Sequence, residues 1–224
     1  MNLRIVETKD GLHSLYVSEL DEHYHSTHGA LQEARHVFIG AGLMHVAQTK
    51  KEISILEIGF GTGLNAFLTG LYALENTVKV SYTGLELYPV PTGMAVKLNY
   101  CSVIGVPEKE TEFERLHQGE WGREQEINPY FLLTKIKQSV FDFEANEQFD
   151  LIYFDAFGYR AQEEMWGQQV FDKMHVALKP GGVLVTYSSK GEVRRRMQQS
   201  GFTVEKLAGP AGKREMVRAY KPQG

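Results

Sequence analysis

The run Leu56-Glu57-Ile58-Gly59-Phe60-Gly61-Thr62-Gly63-Leu64-Asn65 sets an apolar strand directly against three alternating glycines and a helix start. Ile53 to Ile58 supplies the strand. The glycines let the backbone approach a ligand that side chains would block, and the amides of the following helix N-terminus face that ligand. A turn used for packing alone would not need three glycines, which are costly in chain entropy. Such a turn belongs to an α/β fold with a ligand at the strand ends. A dinucleotide fingerprint would place glycine or alanine three positions after Gly61, but Leu64 stands there, which disfavours a nicotinamide oxidoreductase.

The chain after this turn alternates strand and helix. Val80 to Leu85 is the next strand and ends at Glu86; Leu132 to Val140, Phe149 to Asp155 and Gly182 to Ser188 are further strands. The last follows an expected turn at Lys179-Pro180-Gly181, and the helix Val193 to Gln199 stops at Gly201. Phe202 to Leu207 and Glu215 to Tyr220, joined by a glycine- and proline-bearing connection, close the fold as an antiparallel pair. Strands interleaved with helices imply a mostly parallel sheet covered on both faces. Residues 1–50 read as an N-terminal extension, with a hairpin over Leu3 to Thr8 and Leu15 to Val17 and a helix from Ala30 to Val46; residues 51–224 form the main domain. Tyr88 to Pro129 carries four prolines and reads as a helix plus a substrate-side insertion.

Composition narrows the class. No stretch of the chain reaches the roughly 18 consecutive apolar residues of a membrane span, and Met1 to Glu7 has no secretory h-region. The single cysteine, Cys101, excludes an internal disulfide framework and fits a reducing cytoplasm. Net charge is −4, yet Lys190 to Gly224 carries +6 and the remainder −10. A local basic patch of this kind suits a phosphate-rich partner, or is simply a solvated face. His23, His25 and His28 fall within six residues, but no cysteine or carboxylate stands at a zinc-like spacing, so no metal is expected.

Several residues fall at strand ends, where an open parallel sheet binds ligands. Glu86 can take both ribose hydroxyls of an adenosine. Asp155-Ala156-Phe157-Gly158-Tyr159 follows the strand beside the glycine loop, and its aromatics can shield a site and stack on a base. Trp166 reads equally well as core.

An acidic residue two positions before Gly-x-Gly-x-Gly resembles motif I of the class I S-adenosylmethionine (SAM) methyltransferases, and Asp155 to Tyr159 resembles their motif IV. The resemblance implies a Rossmann-like, seven-stranded, mostly parallel sheet with an antiparallel last strand. It also puts a contact to the adenine amino group after the third strand, where Asp142, Ser139 or the Val140 amide can serve. More of the chain is similar to the methyltransferase module of the bacterial tRNA 5-methylaminomethyl-2-thiouridine biosynthesis protein. The match runs over Tyr24 to Phe38, the glycine loop, Phe154-Asp155-Ala156-Phe157, Met165-Trp166, Pro180-Gly181-Gly182, Val193-Arg194-Arg195 and Gly212-Lys213-Arg214-Glu215-Met216.

That resemblance implies methylation, by SAM, of the exocyclic amine of 5-aminomethyl-(2-thio)uridine at the tRNA wobble position. Glu57, Gly59, Phe60, Gly61, Gly63, Asn65, Glu86, Asp142 and Asp155 would hold SAM. Asp155, Phe157 and Tyr159 would border the acceptor amine, and Arg194, Arg195, Lys213 and Arg214 would face tRNA. The family's Ala-Pro after Asp-x-Phe is Gly158-Tyr159 here, so a different acceptor wall is expected. A stand-alone, monomeric, cytoplasmic form lacking the family's flavin oxidase domain is also expected. A small-molecule N- or O-methyltransferase and a non-catalytic SAM-binding module are the alternatives.

Overall fold

The computed structural model describes residues 2–223. Strands β1 (Leu3–Glu7), β2 (His13–Val17) and β3 (Glu22–His23) form a small antiparallel sheet. Helix α1 (Ala30–Ala34) follows; its Leu31 and Gln32 amides donate to Oδ2 of Asp10 at 2.9 and 3.2 Å, so a turn residue twenty positions away satisfies the helix start. The helix then continues as a π-helix over residues 35–44. Gly42 permits this stretch to lie on the main sheet: a Cβ there would meet Val185 Cγ2 at 3.0 Å and Tyr153 Cε1 at 3.2 Å.

Next come β4 (Glu52–Ile58), α2 (Leu64–Asn76) and β5 (Lys79–Leu85). The segment read as an insertion holds α3 (Thr92–Ala95), α4 (Tyr100–Ile104), α5 (Glu110–Gln118) and the strand β6 (Glu124–Asn128). Tyr100 and Phe113 pack ring to ring, and Phe113 meets Phe67 of α2, so this segment buttresses the helix behind the glycine loop. The chain closes with β7 (Phe131–Ile136), β8 (Phe149–Phe154), α6 (Gln168–Ala177), β9 (Leu178–Thr186), α7 (Gly191–Gln199), β10 (Thr203–Ala208) and β11 (Glu215–Tyr220).

The main sheet has eight strands in the order β10-β11-β9-β8-β4-β5-β7-β6. Neighbours from β9 through β7 run parallel, β11 is antiparallel to both its neighbours, and β6 pairs antiparallel with β7. The architecture is the expected α/β one with an antiparallel last strand, plus an eighth strand at the far edge. β6 escaped notice because its five residues include one buried apolar side chain, Ile127, and its pairing is interrupted before Asn128. The third main strand stops at Ile136, four residues short of Val140. A turn follows at Ser139, its Oγ accepting the Phe141 amide (3.2 Å) and its carbonyl the Asp142 and Phe143 amides (both 3.1 Å). The turn expected at Lys179-Pro180-Gly181 lies inside β9 as a register shift against β8.

Order reverses at β4: β5 stands on one side and β8, reached later, on the other. That switch point is where an open α/β sheet leaves a crevice. On one face the core joins α1 and its continuation, α2, α4 and α5; on the other it gathers α6 and α7 around Phe154, Trp166 and Phe171. Trp166 is fully buried, with Nε1 donating to the Phe157 carbonyl at 2.8 Å and its ring against Tyr187. The second tryptophan, Trp121, meets Phe60 of the glycine loop edge-on at 6.3 Å and carries the Lys135 ammonium over its ring.

Candidate active site

Beyond Ile58 the chain turns through Gly59, Gly61 and Gly63, whose φ angles are +89°, +50° and +73°. L side chains rarely adopt such angles, so the glycines fix the loop's path. The Gly59 and Phe60 amides donate to the Leu85 carbonyl (3.0 and 3.1 Å), which pins the loop to β5. A Cβ on Gly59 would lie 2.7 Å from the Asp155 carbonyl oxygen, and one on Gly61 would meet the Tyr24 ring at 3.0 Å. The loop is therefore clamped between β8 and the N-terminal segment. It borders a cavity of about 450 Å³ that also takes in Glu57, Glu86, Ser139, Val140 and Asp155.

The carboxylates have distinct settings. Glu86 closes β5, its Oε2 accepting the Gly61 amide (3.0 Å) and Oε1 the Tyr88 amide (2.9 Å). Glu57 is 1 % exposed. Its Oε1 accepts from Asn65 Nδ2 at 2.9 Å, while its Oε2 and the neighbouring Tyr82 hydroxyl both lack a well-formed hydrogen bond. Burial holds the Glu57 carboxyl well above the usual carboxylate range. The same Asn65 amide donates to Asp155 Oδ2 at 2.8 Å, so one side chain bridges two acids. Burial first, then the Glu33 charge, raises Asp155 to about 7 against the opposing hydrogen bond from Asn65 and the Lys213 charge.

Asp155, Ala156, Phe157 and Asn65 also border a second cavity of about 300 Å³. Glu33, Tyr187 and Lys213 line it too, with the Lys213 ammonium paired to Glu33 and 3.9 Å above the Tyr187 ring. The Tyr187 hydroxyl donates to the Ala156 carbonyl (2.8 Å). Two cavities thus meet at Asp155, one suited to a nucleoside-bearing cofactor and one beside it.

The N-terminal sheet roofs both cavities. Tyr24 lies between them, edge to face with Phe157 at 4.9 Å. His25 spans Ser14 Oγ (Nδ1, 3.0 Å) and Thr62 Oγ1 (Nε2, 3.3 Å), and Thr62 accepts from the Tyr100 hydroxyl at 2.8 Å. Burial lowers His25 to about 4, so it is neutral at physiological pH. His23 instead meets Tyr16, and His28 meets Lys9; the three histidines have separate partners. No sequence spacing reveals the roles of Tyr24 and His25, since the chain reaches the loop from a separate sheet.

Other candidates lie apart. Asp142 is exposed and outside both cavities; Ser139 and Val140 line the first in its place. The Tyr159 hydroxyl donates to Glu163 (2.7 Å) and Glu192 (3.2 Å), and its ring carries Lys190, so the side chain is held away from the second cavity, which Gly158 reaches. Arg195 and Arg214 are exposed, Arg194 is half-buried, and Lys213 is engaged by Glu33. Arg196, Lys206, Arg218 and Lys221 are each paired with a glutamate, which leaves less free positive charge than the sequence count implies.

The residues present fit SAM. The glycine loop exposes backbone at a helix start, Glu86 ends the next strand, and Glu57 retains an unsatisfied buried oxygen beside the cavity. Residues 113–222 match the family model of S-adenosyl-L-methionine-dependent methyltransferases. The chain is 29 % identical, over 228 aligned positions, to the tRNA 5-methylaminomethyl-2-thiouridine biosynthesis bifunctional protein MnmC of Cupriavidus necator, covering 93 % of this chain and 33 % of that protein. The corresponding protein of Campylobacter fetus subsp. fetus is 30 % identical over 210 positions, covering 92 % and 34 %. The chain therefore spans about a third of the length of these curated relatives. Its fold superposes on the crystal structure of MnmC2 from Aquifex aeolicus with a TM-score of 0.72 at 23 % identity, covering 97 % of this chain and 70 % of that one. Fold, glycine loop and the match over residues 113–222 agree: the chain is similar to S-adenosyl-L-methionine-dependent methyltransferases.

Proposed function

We propose that the protein methylates the exocyclic amine of 5-aminomethyl-(2-thio)uridine at the tRNA wobble position, giving 5-methylaminomethyl-(2-thio)uridine. The observation that carries this reading is the meeting of the two cavities at Asp155, with a second carboxylate, Glu33, across the acceptor side. The names of the relatives supply the nucleoside.

SAM supplies an electrophilic methyl whose bond to sulfur breaks with the electron pair left on sulfur. Glu57, Glu86, the glycine loop and Ser139 or Val140 would hold it. An alkylammonium near pKa 10.4 must lose a proton before its nitrogen can attack, a cost of roughly 4–5 kcal/mol at pH 7 in water. Phe157 and Tyr24 exclude water from the acceptor side and so favour the neutral amine. Asp155, raised to about 7, receives the proton with a smaller mismatch than an ordinary carboxylate would. Asn65 fixes its orientation. Arg195, Arg214 and Arg194 contact tRNA phosphates, and the protein acts in the cytoplasm as a monomer.

The test is methyl transfer from labelled SAM into bulk tRNA from cells lacking this activity, followed by nucleoside analysis. Label in 5-methylaminomethyl-(2-thio)uridine is the expected outcome. No label in tRNA, with SAM bound, refutes the substrate.

A further inference from the structure

Glu33 has no part in holding SAM, yet it is an ionisable side chain only 12 % exposed, set on α1 and facing the acceptor cavity. Its charge is felt by Asp155 and by Tyr187, so it stands within electrostatic reach of the reacting end of that cavity. Its partner is Lys213, 30 % exposed, from the β10–β11 connection. That lysine sits over the Tyr187 ring and lines the same cavity. The neighbouring Arg214 points to solvent.

We propose, on the reading of the substrate given above, that Glu33 is the docking carboxylate for the substrate's ammonium group and that Lys213 is a displaceable stand-in for it. In the free protein the lysine ammonium occupies the place that the aminomethyl group takes in the complex. A buried carboxylate stripped of its cation is costly, so the lysine keeps Glu33 satisfied until substrate arrives. An RNA phosphate beside the exposed Arg214 offers Lys213 an alternative anion as the nucleobase enters. Backbone capture and base capture are thereby coupled through one ion-pair exchange, and a neutral 5-substituent cannot complete it. Glu33 is a specificity residue in this scheme, and Asp155, where the two cavities meet, remains the proton acceptor.

The exchange is tested by equilibrium binding of tRNA to the protein saturated with S-adenosylhomocysteine. Two tRNAs are compared, one with 5-aminomethyluridine and one with the neutral 5-hydroxymethyluridine at the wobble position. The readout is the ratio of the two dissociation constants. Wild type prefers the aminomethyl form about tenfold or more, the size of one charge-assisted contact. Glu33→Gln brings the ratio near one while leaving the hydroxymethyl tRNA bound within a few-fold. Lys213→Gln weakens binding of both tRNAs but raises the ratio above wild type, because Glu33 is then permanently free. This second variant retains a test if Glu33→Gln fails to fold. A ratio unchanged by Glu33→Gln, or lowered by Lys213→Gln, overturns the exchange. Absence of methyl transfer to the aminomethyl tRNA by the wild type refutes the substrate itself and takes this inference with it.

Discussion

Gly59 and Gly105 share nearly the same backbone angle, φ +89° and +87°, but not the same surroundings. A Cβ on Gly105 meets nothing within 4 Å, so Gly105→Ala isolates the conformational penalty, about 1 kcal/mol. A Cβ on Gly59 would lie 2.7 Å from the Asp155 carbonyl oxygen and 3.2 Å from its carbon. Both are backbone atoms, held by the β8 ladder and by the hydrogen bond that the Asp155 N–H donates to the Ile58 carbonyl (3.0 Å), so relief requires moving a strand end. Such forced shifts add about 1–3 kcal/mol, giving about 3 kcal/mol in total. For a chain of this size the melting temperature falls by about 2–4 °C per kcal/mol, hence about 2–4 °C for Gly105→Ala and about 6–12 °C for Gly59→Ala. The shift also moves Asp155 and the loop that borders the cofactor cavity. Calorimetric titration with S-adenosylhomocysteine should therefore show at least a tenfold loss for Gly59→Ala and none for Gly105→Ala. Equal melting losses, or unchanged ligand affinity in Gly59→Ala, would refute the argument that backbone contact, not φ alone, demands the glycine.

Two further outcomes follow from the site. Because Asp155 is raised from 3.8 to about 7, kcat/KM should climb with pH through about 7 and then level; its contribution to folding stability has the opposite trend, falling as pH rises from about 4 to 7, since the folded state there binds the extra proton. Asn65→Ala removes a hydrogen bond that favours the ionised acid and should carry the kinetic midpoint upward by about one unit, read from a pH–rate profile; an unmoved midpoint would show that Asn65 does not set the acid. At the surface, Arg195→Gln and Arg214→Gln should each reduce the slope of log affinity for tRNA against log salt by roughly 0.7–0.9, whereas Arg218→Gln, already paired with Glu205, should leave it unchanged.

What could be read from sequence follows the range of the interactions involved. The glycine loop was legible because a strand, a turn and a helix start are local events within ten residues, and the acidic ends of β5 and β8 follow from the same alternation. Asp142 lies outside the cavity because the chain beyond the strand turns at Ser139, which leaves Ser139 and Val140 lining it, a matter of side-chain hydrogen bonding that hydrophobic periodicity does not record. Tyr159 is turned outward by Glu163 and Glu192, the latter 33 positions away. The basic tail looked freer than it is because its glutamate partners come partly from distant segments, Glu33 and Glu147 among them. Tyr24, His25 and Glu33 reach the site from the first 34 residues, and only tertiary packing brings them there. Register, hydroxyl direction and ion pairing are non-local, and these account for the differences.

The chain has two tryptophans, and each reports on one half of the site. Trp166 donates to the Phe157 carbonyl and touches Tyr187, beside the second cavity; Trp121 rests against Phe60, beside the larger one, beneath the Lys135 ammonium. Indole emission is sensitive to a nearby cation and to the loss of a hydrogen bond, so the molecule carries two built-in optical gauges. A tryptophan-to-phenylalanine change at either position silences one of them, and the order in which cofactor and nucleobase arrive becomes visible by stopped-flow fluorescence without any attached dye.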